Sequence, residues 1–468
     1  MSNCNHAVPD TVAAVSTPFG KGGVALLRIS GTEAVAVADR VFRPAGGRPL
    51  SGSADRTAVY GQIVTPDGEV IDDGVAVLFR APRSFTGEDT VELTCHGGIL
   101  ITQCVLTALL EAGARQAEPG EFTRRAFVHG RMGLSETEAL GNLLDAKSHE
   151  QLTLARGALH RGGLSAEVEA VYARLMDALA NMEAGMDFPE EDLTDLTPSE
   201  IRHIVTEAQT RVGRLLDTYR TGHAIAEGIP TVICGKPNVG KSSFYNRLLG
   251  REAAIVTDVA GTTRDVLSES ITVGRVTVRL FDTAGLHDTD DRVEQIGVAR
   301  AKQALAEAEL ILALFDVSRP LDAEDESLLD ELAQTHKAVV YVCHKADLAD
   351  VSSKELTARL GENAPVVRIS SADGSGLDEL VATVESLYIN ETIHTDSDAV
   401  VFSARQNQAL GRAAEHIEAA LTHLSDGWTY DLCAEDIRCA MEALAELDGR
   451  SAREDVIGEI FSRFCVGK

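Results

Sequence analysis

Gly235-Lys236-Pro237-Asn238-Val239-Gly240-Lys241-Ser242 follows an apolar, β-branched segment, Ile229-Pro230-Thr231-Val232-Ile233-Cys234, and precedes a helix-like run, Ser243-Phe244-Tyr245-Asn246-Arg247-Leu248-Leu249. The octapeptide fits G-x-x-x-x-G-K-[ST]. A strand before it and a helix after it make it a phosphate site rather than a string match. Glycines allow successive backbone N–H groups to turn inward onto phosphate oxygens, and the helix adds its N-terminal partial positive charge. Lys241 can reach the β- and γ-phosphates, and the Ser242 hydroxyl can ligate Mg²⁺.

Working outward, strands alternate with helices from residue 224 to 387. Candidate strands are Thr231–Cys234, Ile271–Phe281, Leu310–Phe315, Ala338–Cys343 and Val366–Ile369. Alternation of this kind predicts a mostly parallel α/β sheet covered by helices on both faces. Asp282-Thr283-Ala284-Gly285 stands at a strand end, where the Asp can hold Mg²⁺ through water and the Gly can sense a γ-phosphate. Thr257-Asp258-Val259-Ala260-Gly261-Thr262-Thr263 lies between these two motifs, and a threonine there can complete the Mg²⁺ shell. His344-Lys345-Ala346-Asp347 follows another strand. A carboxylate at Asp347 can accept from N1–H and the exocyclic amine of guanine, a donor pair that adenine lacks. Ser370-Ser371-Ala372, after the last strand, fits a loop that backs the base.

Composition bounds the rest. The chain has 468 residues, 44% hydrophobic and 25% charged, enough for two to four globular domains. No run is long enough to span a bilayer, and no signal peptide is visible at the N-terminus, so a cytoplasmic, membrane-free protein is expected. Eight scattered cysteines without a C-x-x-C pair point to a reducing compartment and away from a disulfide frame or structural zinc. Lys and Arg number 43 against 72 Asp and Glu, a net charge of −29. Such a balance disfavours generic binding to nucleic-acid phosphates; it can also simply keep the chain soluble.

Residues 1–128 have the strand and turn pattern of an α+β domain. Its expected elements include strands over Val12–Pro18, Gly23–Ser30, Thr57–Val64, Val75–Phe79 and Val91–Gly98, and a helix over Ile99–Glu111. Residues 129–223 and 388–468 are helical. Val168, Val171, Tyr172, Leu175, Met176 and Leu179 form one apolar stripe, and Thr197 with Pro198 can open a helix within Leu193–Asp217. Helix, nucleotide domain, helix implies that the nucleotide domain, 224–387, is inserted into one helical domain.

The five nucleotide motifs, in this order and spacing, resemble those of translation-factor-type GTPases. Further strings narrow the resemblance to the tRNA-modification GTPase family MnmE (TrmE), over nearly the whole chain. They are Gly20-Lys21-Gly22-Gly23-Val24 with Leu27-Arg28-Ile29-Ser30-Gly31, Phe85-Thr86-Gly87-Glu88-Asp89, Cys95-His96-Gly97-Gly98, Pro119-Gly120-Glu121-Phe122-Thr123-Arg124-Arg125-Ala126-Phe127, Asp187-Phe188-Pro189-Glu190-Glu191-Asp192 and the terminal Cys465-Val466-Gly467-Lys468. The resemblance implies a Ras-like P-loop GTPase domain within a helical domain, preceded by an α+β domain that binds a tetrahydrofolate derivative of the formyl or methylene type and dimerises.

The GTP contacts it implies are Asn238 to Ser243, Thr257 to Thr263, Asp282 to Gly285, His344, Lys345, Asp347 and Ser370 to Ala372, including Val239, Gly240, Ser243, Asp258, Ala260, Gly261, Thr283, Ala284, Gly285 and Ser371. Mg²⁺ falls to Ser242, Thr263 and, through water, Asp282. Leu286 stands where Ras-like enzymes carry a catalytic Gln, so hydrolysis needs another device. The resemblance supplies K⁺, held by Asn238, Thr257, Val259 and Thr262, and Glu294 to orient water beside the catalytic Lys241; Glu294 also fits a surface helix carboxylate. His344 replaces the usual Asn of the guanine motif, with different hydrogen-bond geometry.

Arg28, Glu92, Arg131 and Lys468 match folate-contacting positions, although Arg28 and Glu92 also fit a plain cross-strand ion pair. Cys465 matches a cysteine that matters for modification; it also fits a buried tail cysteine after Phe461 and Phe464. The implied activity is K⁺-dependent GTP hydrolysis. Alongside an MnmG-type flavoprotein, in a heterotetramer built on a homodimer, it serves aminomethyl-type modification of a tRNA wobble uridine. The alternative is a regulatory or ribosome-assembly GTPase without modification chemistry. Such proteins usually carry a basic RNA-binding domain, and the acidic balance counts against that.

Overall fold

The computed structural model describes residues 10–160, 163–187, 196–250, 269–281, 305–348, 350–361, 363–425 and 430–468. The chain divides into two compact units, one comprising the chain up to Gly141 with Ala445–Lys468, the other Asn142–Leu444.

The first unit is built on β1 (Val12–Val15), β2 (Val24–Ser30), α1 (Ala34–Val41), β3 (Phe42–Pro44), β4 (Ala58–Val64), β5 (Val70–Phe79), β6 (Thr90–His96), α2 (Ile99–Glu111), β7 (Arg115–Gln116) and α3 (Glu121–Val128). The strands form one sheet in the order β3-β4-β5-β6-β2-β1-β7. Pairing is antiparallel except between β1 and β7. Side chains alternate across a strand. On β2, Ala25, Leu27 and Ile29 enter a core shared with α1 and α2. Arg28 therefore projects from the opposite face, where Val12, Ala14, Ala117, Phe122 and Phe85 form a smaller cluster. Arg125, buried at 3% exposure, bonds Asp10, Glu88 and Glu121 and so ties α3 to the start of β1. The expected strand over residues 12–18 stops at Val15, and β5 starts at Val70 rather than Val75.

The second unit contains α5 (His149–His160), α6 (Gly163–Asp187) and α7 (Pro198–Ala226), while α4 (Leu134–Asp145) leads into it. Thr197 caps α7: its hydroxyl accepts from the Glu200 amide, the Glu200 side chain accepts from the Thr197 amide, and Pro198 takes the first helical position. After α7 come β8 (Ile229–Cys234), α8 (Lys241–Leu249), β9 (Glu269–Val273), β10 (Val276–Leu280), β11 (Leu310–Asp316), α9 (Ala323–Ala333), β12 (Ala338–His344), α10 (Ser353–Leu360), β13 (Val366–Ile369) and α11 (Leu377–Tyr388). The chain then returns to helices, α12 (Ala404–Ser425), α13 (Tyr430–Asp448) and α14 (Glu454–Ser462). α7 packs along α6 and α12.

The nucleotide-domain sheet runs β13-β12-β11-β8-β10-β9 and is parallel apart from β9 against β10. Both faces are covered, so β11 is apolar from Leu310 to Phe315 and turns polar only at Asp316, its last residue. Leu310, Leu312 and Leu314 enter one core, and Ile311, Ala313 and Phe315 the other. The single strand expected over Ile271–Phe281 is instead the hairpin β9–β10. A two-residue turn at Gly274 and Arg275 breaks it, with Gly274 at φ +62°, a conformation that suits glycine. Among the described residues, no helix is long and apolar enough to cross a membrane.

Candidate functional site

The phosphate loop occupies the carboxyl end of β8, between that strand and α8. Gly240 takes φ +106°, and a Cβ there would lie 2.4 Å from His344 Cε1, so only glycine lets β12 come this close. Asn238 is exposed at φ +62°, in the left-handed region that Asn tolerates. Lys241 Nζ donates to the carbonyls of Gly235 at 2.9 Å and Lys236 at 3.0 Å, which aims it along the loop. Ser242 lies in the first turn of α8, where an N-terminal hydroxyl fits a Mg²⁺ ligand.

The base side is built from the ends of β12 and β13. His344 is buried, with Nδ1 2.8 Å from the Val239 carbonyl and Nε2 2.7 Å from Ser371 Oγ. A carbonyl only accepts, so Nδ1 carries the proton, and in the neutral ring the Ser371 hydroxyl donates to Nε2. Burial pushes the imidazole below its ordinary value, and Lys345 pushes the same way. The Val239 carbonyl, Asp316 and Asp347 oppose that shift. The His thus spans from phosphate loop to base loop, the bracing expected of the Asn it replaces. Lys345 Nζ bonds Asp316 Oδ2 at 2.7 Å and reaches the Asn238 carbonyl at 3.3 Å. Burial works against the Asp316 charge, yet Lys345 and Ser318 outweigh it and hold that carboxyl below the usual range. Asp347 is exposed beyond β12, free to meet a ligand edge, and Ser370 Oγ accepts the Ala372 amide at 3.2 Å. Thr257, Asp258, Val259, Ala260, Gly261, Thr262, Thr263, Asp282, Thr283, Ala284, Gly285, Leu286 and Glu294 lie outside the described residues.

A second site belongs to the first unit. Arg28 and Glu92 are direct partners between β2 and β6, and Arg28 Nε and Nη2 both bond Glu92 Oε1, at 3.0 and 2.8 Å. The ion pair expected as the plain alternative is thus formed. Both guanidinium nitrogens use one carboxylate oxygen, which leaves Oε2 available among the described residues. The guanidinium lies 5.3 Å from the Phe85 ring centroid and 5.6 Å from that of Phe122, within cation–π range.

The chain's end joins the same region. Val466 bridges Pro119, Gly120 N–H donates to the Cys465 carbonyl, and Phe122 N–H donates to the Lys468 carbonyl at 3.2 Å. Ser16 Oγ donates to the Gly467 carbonyl at 3.0 Å. Gly467, at φ +99°, runs so close to β1 that a Cβ would lie 2.1 Å from the Val15 carbonyl. Cys465 is exposed, not the buried tail cysteine considered as an alternative. Arg131 is exposed beyond α3, its stem beside Gly87, two residues after Phe85. The structure therefore brings Arg28, Glu92 and the 465–468 tail around Phe122, with Arg131 beside the loop that carries Phe85. Phe85 and Phe122 were not singled out from sequence as flanking Arg28, although both lie inside strings that carried the family resemblance.

A mainly parallel sheet, with the phosphate loop after β8 and guanine-type loops after β12 and β13, defines a Ras-like P-loop GTPase. Two family models match the chain: GTP-binding protein TrmE N-terminus over residues 11–131, and MnmE helical domain over 134–465. The tRNA modification GTPase MnmE of Symbiobacterium thermophilum is 44% identical, covering 98% of this chain and 99% of its own. That of Moorella thermoacetica is 41% identical over 98% and 99%. Among solved structures, an Aquifex aeolicus Era variant bound to GDP.AlF4- is 29% identical, over 40% of this chain and 65% of its own. Its TM-score is 0.27, too low to carry an inference. The chain belongs to the MnmE family of tRNA modification GTPases. It is therefore a GTP-hydrolysing enzyme, with GTP as substrate and Mg²⁺ as its expected cofactor.

Proposed function

We propose that this GTPase is K⁺-dependent and cytoplasmic. As a homodimer joined to an MnmG-type flavoprotein in a heterotetramer, it takes part in adding an aminomethyl-type group, such as carboxymethylaminomethyl, to the wobble uridine of certain tRNAs. In this reading GTP hydrolysis drives closure of the nucleotide domains. Lys241 binds the phosphates, Asn238 with Thr257, Val259 and Thr262 holds K⁺, and Glu294 orients water in place of the Gln that Leu286 displaces. Ser242, Thr263 and Asp282 hold Mg²⁺. Asp347 selects guanine.

The observation that supports the modification role is the half-used carboxylate of Glu92 on Arg28, whose guanidinium faces the Phe85 and Phe122 rings, with the C-terminal tail bonded to the Phe122 amide. An ionised oxygen there can accept from the donor edge of a pterin ring, and Arg131 and Lys468 suit an anionic glutamate tail. A tetrahydrofolate derivative, when bound, would supply the one-carbon unit, and the partner's flavin with NADH the redox chemistry. Cys465, exposed at the tail, is the candidate nucleophile.

The test is a reconstituted reaction with tRNA, flavoprotein, the folate derivative, GTP and Mg²⁺, read by mass spectrometry of the wobble nucleoside. Wild type should form product. Glu92→Gln should lose it while retaining GTP turnover; full product from that variant would refute the role of this site.

A further inference from the structure

Two sets of contacts hold the phosphate loop, one on each limb. On the helix side, Val239 to Ser242 are fixed by the start of α8 and by His344 Nδ1 on the Val239 carbonyl. On the strand side the anchor is Lys236, the second residue of the loop. It turns away from the phosphate cradle, and its side chain is 7% exposed. Its Nζ lies 2.7 Å from Asp325 Oδ2 and 2.5 Å from Asp322 Oδ2.

These carboxylates are themselves fixed. Asp322 caps α9: its Oδ1 accepts the amides of Glu324 at 3.0 Å and Asp325 at 3.2 Å, and Asp325 Oδ2 accepts the Asp322 amide at 3.2 Å. An ammonium held by two carboxylates that are locked into a capping box has little freedom. Burial alone would make the Lys236 charge costly, yet Asp322 and Asp325 overcome it and raise its pKa. Lys345, held by Asp316 at the end of β11, meets the Asn238 carbonyl. The cap of α9 thus grips residue 236, and Lys345, beyond β12, grips residue 238, while other contacts hold residues 239 to 242.

We propose that Lys236, anchored on Asp322 and Asp325, is the positioning residue that presents Asn238 to the monovalent cation used in GTP hydrolysis. The inference rests on the K⁺ reading above. Loosening the strand-side limb displaces Asn238; it also loosens the Gly235 and Lys236 carbonyls that Lys241 Nζ bonds, but leaves residues 239 to 242 held by α8 and His344. The cation requirement therefore shifts more than nucleotide affinity.

The test is a K⁺ titration of GTP turnover at constant ionic strength, beside titration with a fluorescent GDP analogue. Lys236→Met should raise the half-saturating K⁺ concentration by about tenfold and change GDP affinity by less than about threefold; Lys236→Arg should restore the wild-type value. Asp322→Asn preserves the cap, since Asn caps as well as Asp, and should move K⁺ half-saturation in the same direction. It carries the test should Lys236→Met fail to fold. Unchanged K⁺ half-saturation in both Lys236→Met and Asp322→Asn, or GDP affinity falling in step with it, would overturn the assignment. Wild-type turnover equal in K⁺ and Na⁺ would overturn the K⁺ reading itself, and is seen before any variant is made.

Discussion

Replacing His344 by alanine removes the group that ties the phosphate loop to the base loop. The Val239 carbonyl loses the Nδ1 donor at 2.8 Å, and the Ser371 hydroxyl loses its acceptor at 2.7 Å. Val239 is fully buried, so its carbonyl cannot easily turn to water, whereas Ser371 is half-buried and can. A buried polar group left unmade costs about 1–3 kcal/mol. The vacated ring space beside Gly240 and the Phe244 ring, 6.3 Å away, adds a smaller packing loss. The sum is on the order of 3 kcal/mol, of which about half to all should appear in nucleotide binding, or roughly 10- to 100-fold in GDP affinity. Titration with a fluorescent GDP analogue reads it. His344→Asn, which restores a donor toward Val239, should recover most of the loss. Gly240→Ala, whose Cβ would displace the ring, should reproduce it. Binding by His344→Ala within about threefold of wild type would refute the bracing role.

The same imidazole implies a pH dependence. Its folded pKa lies below the ordinary 6.5, so the unfolded chain takes up the proton first. Its stabilisation is present in full above about 6.5 and is lost as pH falls below that value. The thermal midpoint of wild type should therefore fall more than that of His344→Asn between about pH 7 and about pH 5; parallel curves would contradict this. Gly467→Ala should undock the C-terminal tail, because its Cβ would lie 2.1 Å from the Val15 carbonyl. Calorimetry should then show folate affinity down by about tenfold or more with GTP turnover intact; unchanged folate affinity would separate the tail from the site. Thr197→Ala removes the α7 cap and should cost about 1 kcal/mol in urea unfolding, with no effect on GDP binding.

Legibility followed range along the chain. The phosphate loop, the α2 helix and the β13 strand were readable because glycine chemistry, apolar period and turn residues act within a few positions. The α7 cap was legible for the same reason, from Thr197 and Pro198. The β9–β10 hairpin was not. Apolar residues fall at Ile271 and Val273 before Gly274 and at Val276, Val278 and Leu280 after it, so one glycine and a one-residue slip in the alternation are all that mark the turn. Long-range pairings were hidden as well. The link from Lys236 to Asp322 and Asp325 spans more than eighty positions, and only the D-x-x-D pattern opening α9 hints at it. The tail's return to β1 and α3 pairs residues across most of the chain, with Gly467 as its single local sign. Arg28 and Glu92 were legible as a pair, but not the Phe85 and Phe122 rings beside them.

The most direct test of the account is GTP turnover by the purified protein in K⁺ and in Na⁺ at equal ionic strength. The account predicts strong acceleration by K⁺, lost in Asn238→Ala and Glu294→Ala. Equal turnover in the two salts would contradict it, and would assign hydrolysis at this leucine-substituted site to some other device.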